Sequence, residues 1–213
     1  TWSAGYRAEL WYGPDANGLP GKPGAGELAV KQAYVALRAP VGNGIDFKIG
    51  QFDTIIGYEV ASSYANPNFS RSYGYALEPV THTGVLASYQ VCSGVTASFG
   101  IANSWFGAIN ERPSDGGAVA ESQKTYMGML AVTVPESAGP VAGATIYAGF
   151  VDGLNGASGG TNTKDTTSYY AGFTLPTPLK SLTLGGAYDY RDDGAITGKP
   201  GNNFAWSGAV YLS

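Results

Sequence analysis

The sequence predicts an all-β fold, a transmembrane antiparallel β-barrel of the outer-membrane type with about ten strands in these 213 residues. Three observations predict it: long runs of strict two-residue alternation, a surface chemistry poor in charge, and connections that alternate between compact and long. No linker or tandem repeat divides the chain, so residues 1–213 read as a single domain.

The first strand carries the clearest pattern. In "TWSAGYRAELWYG" the even positions are Trp2, Ala4, Tyr6, Ala8, Leu10 and Tyr12, and the odd ones are Ser3, Gly5, Arg7, Glu9 and Trp11. Alternation over this length is a strand with one apolar and one mostly polar face. Trp2 and Tyr12 end the apolar face ten residues apart. That is roughly 33 Å of extended chain. Tilted by about 40°, it covers the ~25 Å height of an outer-membrane apolar band flanked by aromatics. Strands of soluble sandwiches are usually about half as long.

The same period recurs along the chain. Ala33, Val35 and Leu37 alternate with Gln32, Tyr34 and Arg38, and Ile45, Phe47 and Ile49 alternate with Asp46, Lys48 and Gly50. Val85, Ala87, Tyr89 and Val91 alternate with Gly84, Ser88 and Gln90; Val95, Ala97, Phe99 and Ile101 alternate with Thr96, Ser98 and Gly100. Further strands are expected around 124–134, 144–151, 166–175, 182–191 and 204–213. On this phase Trp2, Tyr6, Leu10, Tyr12, Phe47, Phe99, Phe150 and Phe173 face lipid, because a one-residue slip would send every polar side chain into hydrocarbon.

Composition agrees. Hydrophobic residues make up 44% of the chain, charged residues only 13%, and there are 32 Gly and 15 Tyr. A soluble domain carries about twice that charge. Few charges with a mean hydropathy of −0.07 suit a barrel whose lipid face and polar lumen average out. A net charge of −4 argues against a nucleic-acid binder, which would show a basic stripe. Cys92 is alone, so no disulfide forms within the chain. No run reaches the length of a transmembrane helix, and Thr1 opens directly into strand pattern, as expected of a processed or partial chain, so no signal peptide is expected within these residues.

The connections near 40–44, 92–94, 135–143 and 176–181 are compact or rich in Pro and Gly; those near 14–27, 53–80, 105–123, 152–165 and 192–203 are longer and polar. Short turns on the periplasmic rim and long loops outside the cell are the plan of such barrels. The connection 53–80, with "NPNFSRSYGYALEP" at Asn66 to Pro79, has neither strand nor helix period and is moderately aromatic. Irregular backbone at membrane depth needs protein walls or water around it. The segment therefore reads as a loop folded into the lumen, the alternative being an ordered extracellular cap.

The run from Lys31 to Val91 resembles the OmpL-like outer-membrane β-barrel porin family best known from Planctomycetes, Verrucomicrobia and related bacteria. The residues that carry the likeness are "QAYV", "GQFDTIIGYE", "NPNFSRSY" and "THTG", with "GPDA" at Gly13 to Ala16. It covers about a third of the chain densely and the rest only through barrel patterning. The resemblance implies a general porin fold and a constricting loop after the third strand. Members are typically longer, with a signal peptide ahead and more strands behind, and "SGAVYLS" lacks the terminal aromatic of an outer-membrane strand. The expectation is thus a central part of a larger barrel.

The pore-lining or constricting residues expected are Arg7, Glu9, Arg38, Lys48, Asp53, Glu59, Asn68, Arg71, Tyr73 and Glu78, with Arg71 at the narrowest point. Tyr64, Asn68, Arg71, Tyr73 and Glu78 are expected to meet inward side chains such as Arg38 or Lys48. The polar phase sets Arg7, Arg38, Lys48 and Arg191 against Glu9, Asp46 and Asp189; the loop adds Arg71 against Asp53, Glu59 and Glu78. That balance predicts a weakly cation-preferring pore for small hydrophilic solutes and ions. The other classes are a closed structural or adhesive barrel and a barrel hydrolase. His82 has no nucleophile elbow or paired-acid motif beside it and reads as a hydrogen-bonding rim residue, so no enzymatic role is expected. "DDG" at Asp192 to Gly194 and "GLNGASGG" at Gly153 to Gly160 read as turns, and no cofactor or metal is expected. The expected partners are outer-membrane lipid including lipopolysaccharide, the permeating solutes, and other copies of the chain in a homo-oligomer; the expected location is the bacterial outer membrane.

Overall fold

The computed structural model describes residues 1–19, 28–115, 118–119, 122–155, 165–179, 182–194 and 203–213. Parts of the long connections expected at 14–27, 105–123, 152–165 and 192–203, including most of "GLNGASGG", lie outside the described residues. Ten strands form one antiparallel sheet in chain order. They are β1 (Ser3–Tyr12), β2 (Leu28–Ala39), β3 (Ile45–Asp53), β4 (Thr81–Cys92), β5 (Val95–Ala102), β8 (Thr125–Thr133), β9 (Thr145–Gly153), β10 (Thr166–Pro176), β11 (Thr183–Asp192) and β12 (Phe204–Leu212). The two-residue strands β6 (Ser114–Asp115) and β7 (Ala118–Val119) pair apart from it, within the connection after β5. Helical structure among the described residues is limited to short 3-10 turns.

Register converts the alternation of each strand into continuous rows. One row crosses all ten strands as Ala4, Leu37, Phe47, Ala87, Phe99, Gly128, Phe150, Tyr169, Tyr190 and Trp206. It holds no charge, as a face in contact with hydrocarbon requires. Gly128 has a packing role in it: the Phe150 ring lies where a Cβ would stand, 2.6 Å away. Trp2, Tyr6, Leu10, Tyr12, Phe99 and Phe173 are exposed on the same face, Tyr6 to 86%. At the β4–β5 turn Gly94 takes φ +86, and a Cβ there would sit 2.4 Å from the Thr133 carbonyl oxygen. Only glycine fits that turn.

The other face carries the buried core: Phe52, Ile56, Leu86, Ala102, Trp105, Met127, Val151, Tyr170, Ala187 and Tyr211. The sheet curls around it. Tyr58 lies five residues beyond the end of β3, yet its ring stacks on Tyr211 of β12 at 4.2 Å between centroids. In a flat sheet those strands would be roughly 34 Å apart, beyond the reach of so short a segment. Trp105 locks the curl from a second side, donating its Nε1–H to Ser168 Oγ on β10 at 3.2 Å beneath the Arg191 guanidinium, 4.4 Å above its ring. Trp105→Ala should cost about 3–5 kcal/mol of folding stability; a urea midpoint in detergent or lipid unchanged from wild type would contradict it.

These ten strands form an open curled sheet rather than a closed cylinder. Among the described residues, β1 and β12 each have a hydrogen-bonded strand neighbour on one side only. The inward side chains of β1 through Arg7 stand exposed rather than packed. A free edge presents a row of unpaired backbone groups, each costing several kcal/mol in hydrocarbon.

Candidate functional site: the inserted loop and its wall

The connection between β3 and β4 starts at the rung Asp53–Thr81, on the rim of the long loops. Its tip comes down on the opposite half of the sheet. Tyr64, Ala65, Asn66 and Pro67 share a cavity of about 590 Å³ with Met129, Tyr147, Tyr170, Thr174 and Ser213, of which Tyr147, Thr174 and Ser213 lie at or near strand ends of the short-turn rim. The segment thus runs along the inner face, and local chemistry holds its shape. The Asn66 side chain accepts from Val60 N–H and donates to the carbonyls of Val60 and Ser62, each at 2.8 Å, standing in for a backbone turn. Arg71 donates to the carbonyls of Val60, Ala61 and Phe69 and to Ser63 Oγ at 3.1–3.3 Å, with its guanidinium 5.6 Å over the Tyr75 ring. Arg71 is a staple across the loop, its donors spent on loop oxygens.

Three polar contacts tie the loop to the wall. At β11 and β12, Tyr211 donates its hydroxyl to Glu59 Oε2 at 3.0 Å, and Glu59 accepts from the Ser72 N–H at 2.9 Å and from the Ser72 hydroxyl. Beside them the buried Glu78 carboxyl lies against that of Asp189 of β11, whose Oδ1 has no partner among the described residues. Two carboxyls this close hold a proton between them. Burial first, then the contact with Asp189 and the charges of Asp189 and Glu59, push the Glu78 carboxyl up to about 10. Two glycines make the room: a Cβ on Gly57 would lie 2.0 Å from Glu78 Oε2, and one on Gly74 2.2 Å from Asp189 Oδ2. At the other side Asp53 pairs with Lys31 of β2, whose ammonium also sits 5.6 Å over the Trp11 ring.

Sequence reasoning missed Lys31. Strict alternation puts it in phase with the apolar Ala33, Val35 and Leu37, but the register slips where Glu9 pairs with Gln32 and Leu10 with Val30. That bulge leaves Lys31 unpaired in the ladder and under the loop, and the Gln51 amide caps the Val30 and Lys31 carbonyls. A lysine on an apolar phase was the available signal, since lipid would not tolerate it.

The other expected residues are distributed as follows. Arg7 pairs with Glu9 at 2.6 Å, and Glu9 also accepts from Trp11 and Gln32 at 3.0 Å. Arg38 donates from Nη1 to both Asp46 carboxylate oxygens, at 2.8 and 3.0 Å, and from Nη2 to the Asn43 carbonyl at the β2–β3 turn. Lys48 lies 5.2 Å over the Tyr34 ring. The contacts that fix the loop are therefore those to Lys31, Asp189 and Tyr211, in place of the expected ones to Arg38 or Lys48. Asn68 and Tyr73 are exposed, Tyr73 to 89%, as is Tyr64 to 92%. His82, one rung in from the long-loop rim, is buried between Thr54 Oγ1 at 3.3 Å and the Ser104 carbonyl at 3.4 Å. Asp193 of "DDG" holds Arg191 at 2.7 Å, and Asp192 accepts from Gly194 N–H.

A ten-stranded antiparallel sheet with an uncharged outer belt, a polar inner face and a loop laid along that face defines a porin-like β-barrel wall. The chain belongs to the family described as "Putative beta-barrel porin-2, OmpL-like", whose model matches residues 2–213. That membership suggests an outer-membrane porin and an outer-membrane location. No curated protein and no solved structure matches the chain.

Proposed function

We propose that the chain is the wall and constriction of an outer-membrane diffusion pore for small hydrophilic solutes and ions, weakly cation-preferring and without enzymatic activity. The observation that carries this reading is the path of the loop from the long-loop rim, at Asp53 and Thr81, to Thr174 and Ser213 on the short-turn half. A loop so laid narrows a lumen without sealing it. β1 and β12 are the natural points for further strands to complete the cylinder, because free edges are costly in lipid.

Weak selectivity follows from the pairing of the inward charges. Arg7, Arg38, Lys31 and Arg191 each have a carboxylate partner, in Glu9, Asp46, Asp53 and Asp193. Lys48 and Arg71 offset Glu59 and Asp189 at the loop–wall contact, so the negative lean is only that of the whole chain, net −4, and mobile ions screen it over about 8 Å at physiological salt. The reversal potential of the intact protein in a planar bilayer, across a KCl gradient, should have the cation sign and lie well below the value for a perfectly selective channel. A strongly anion-selective potential would overturn the charge assignment, and no conductance would overturn the pore. The second reading, a closed structural or adhesive barrel with partner-binding surface loops, draws on the buried core around Trp105, Met127 and Tyr170. Absence of conductance would favour it.

A further inference from the structure

The cavity under the loop tip has a chemistry unlike the rest of the inner face. Its walls are Gly57, Tyr58, Tyr64, Ala65, Asn66 and Pro67 from the loop, and Met129, Tyr147, Tyr170, Thr174 and Ser213 from β8 to the end of β12. Elsewhere the inner face carries charge pairs such as Arg7–Glu9, Arg38–Asp46 and Arg191–Asp193 beside the apolar core; here no lining side chain is ionic at neutral pH. Four tyrosines and two hydroxyl residues converge instead. Glycines let two of the phenols lie against the wall: the Tyr170 hydroxyl occupies the place of a Cβ on Gly172, and that of Tyr58 the place of a Cβ on Gly185. A larger residue at either position would push these rings into the cavity. Tyr64, 92% exposed, stands free on the loop side. At about 590 Å³ the space lies within the ~300–1,000 Å³ of ordinary small-molecule sites.

We infer that this chamber is a saturable subsite for neutral saccharides, of mono- to disaccharide size. The inference rests on the pore reading above and names a solute class for it. A pyranose has C–H faces that cover an aromatic ring and an equator of hydroxyls that exchange hydrogen bonds with phenols, Thr174 and Ser213; tyrosine supplies both in one side chain. A charged solute gains nothing comparable, because it would shed water without meeting a counter-charge. The loop supplies one side of the chamber and the wall the other, so the constriction itself builds the site.

The test combines two measurements on the intact protein. In planar bilayers, maltose titrated into KCl should reduce the ion current along a saturating curve, whereas gluconate and choline at matched concentration should not saturate. In detergent micelles, titration calorimetry with maltose reads binding whether or not the barrel conducts. Tyr64→Ala and Tyr147→Ala should each weaken the maltose constant by up to about tenfold, the worth of one aromatic contact. The lipid-face variant Tyr12→Ala serves as control and should match wild type. Conductance with no saturation and no binding heat overturns the saccharide site and leaves the pore standing. Maltose binding without conductance does the reverse. Saturation by choline in place of maltose would reassign the tyrosines to an organic cation and overturn the inference. Unaltered maltose constants in both tyrosine variants would place the sugar outside the chamber and overturn it as well.

Discussion

Raising the pH from 6 to 10 should loosen the loop from the wall, and Glu78→Gln should abolish that response. Burial and the neighbouring carboxyls of Asp189 and Glu59 raise the Glu78 carboxyl far above its usual 4.5, toward about 10, so the Glu78–Asp189 pair holds a proton at neutral pH. A carboxyl that binds its proton more tightly in the folded state gives its full stabilisation below the unfolded value of 4.5. It loses that stabilisation as pH climbs toward 10, since the folded state then holds a proton the unfolded chain has released. Each pH unit inside this window weakens the contact by up to about tenfold.

The groups facing Glu78 act in the same sense. Asp189 on β11 and Glu59 on the loop oppose its ionisation, and the phenols of Tyr75 and Tyr170 lie close to it. Lys31 lines the same small cavity, but its ammonium is paired with Asp53. Hydrogen-exchange protection factors for residues 57–78, measured at pH 6, 8 and 10 in lipid, report the contact directly. Wild-type protection should fall across the series. Glu78→Gln keeps a donor toward Asp189 and cannot ionise, so its protection should stay level. Parallel loss in both proteins would mean that the Glu78–Asp189 contact does not hold the loop.

Deleting residues 62–76 should raise single-channel conductance severalfold. The deletion removes the tip at Tyr64–Pro67, the Asn66 turn and the Arg71 staple. It spares Tyr58, which stacks on Tyr211, and Glu59 and Glu78 on the wall side. Ile56 and the other core residues are also retained, so the sheet keeps its packing. What goes is the part that crosses the inner face to Thr174 and Ser213. The larger conductance should come with loss of maltose saturation, because one side of the tyrosine chamber is gone. Conductance equal to wild type would put the tip outside the ion path.

Strand number, strand phase and the alternation of compact and long connections were legible in the sequence. Each is a local property. Period two is written into neighbours along one strand, and Gly94 or Pro67 declares a turn within a few residues. The ten strands and the outward phase of Tyr6, Phe99 and Phe173 follow from that alone. So did the existence of a long irregular insertion after the third strand. Tertiary structure alone decided which charges meet. Glu78 and Asp189 belong to distant parts of the chain, and only the curl that brings β11 round to the loop makes them partners. A single-residue bulge moved Lys31 from the lipid phase to the space under the loop, and slips of that kind depend on the neighbouring strand. Arg71 illustrates the same limit: its charge could be read, but not that the Val60, Ala61 and Phe69 carbonyls would consume it. The two free edges are also a product of the whole sheet, because closure depends on tilt, stagger and strand count together. Periodicity reports which way a side chain points; what it meets there is set by curvature and register summed over every strand between.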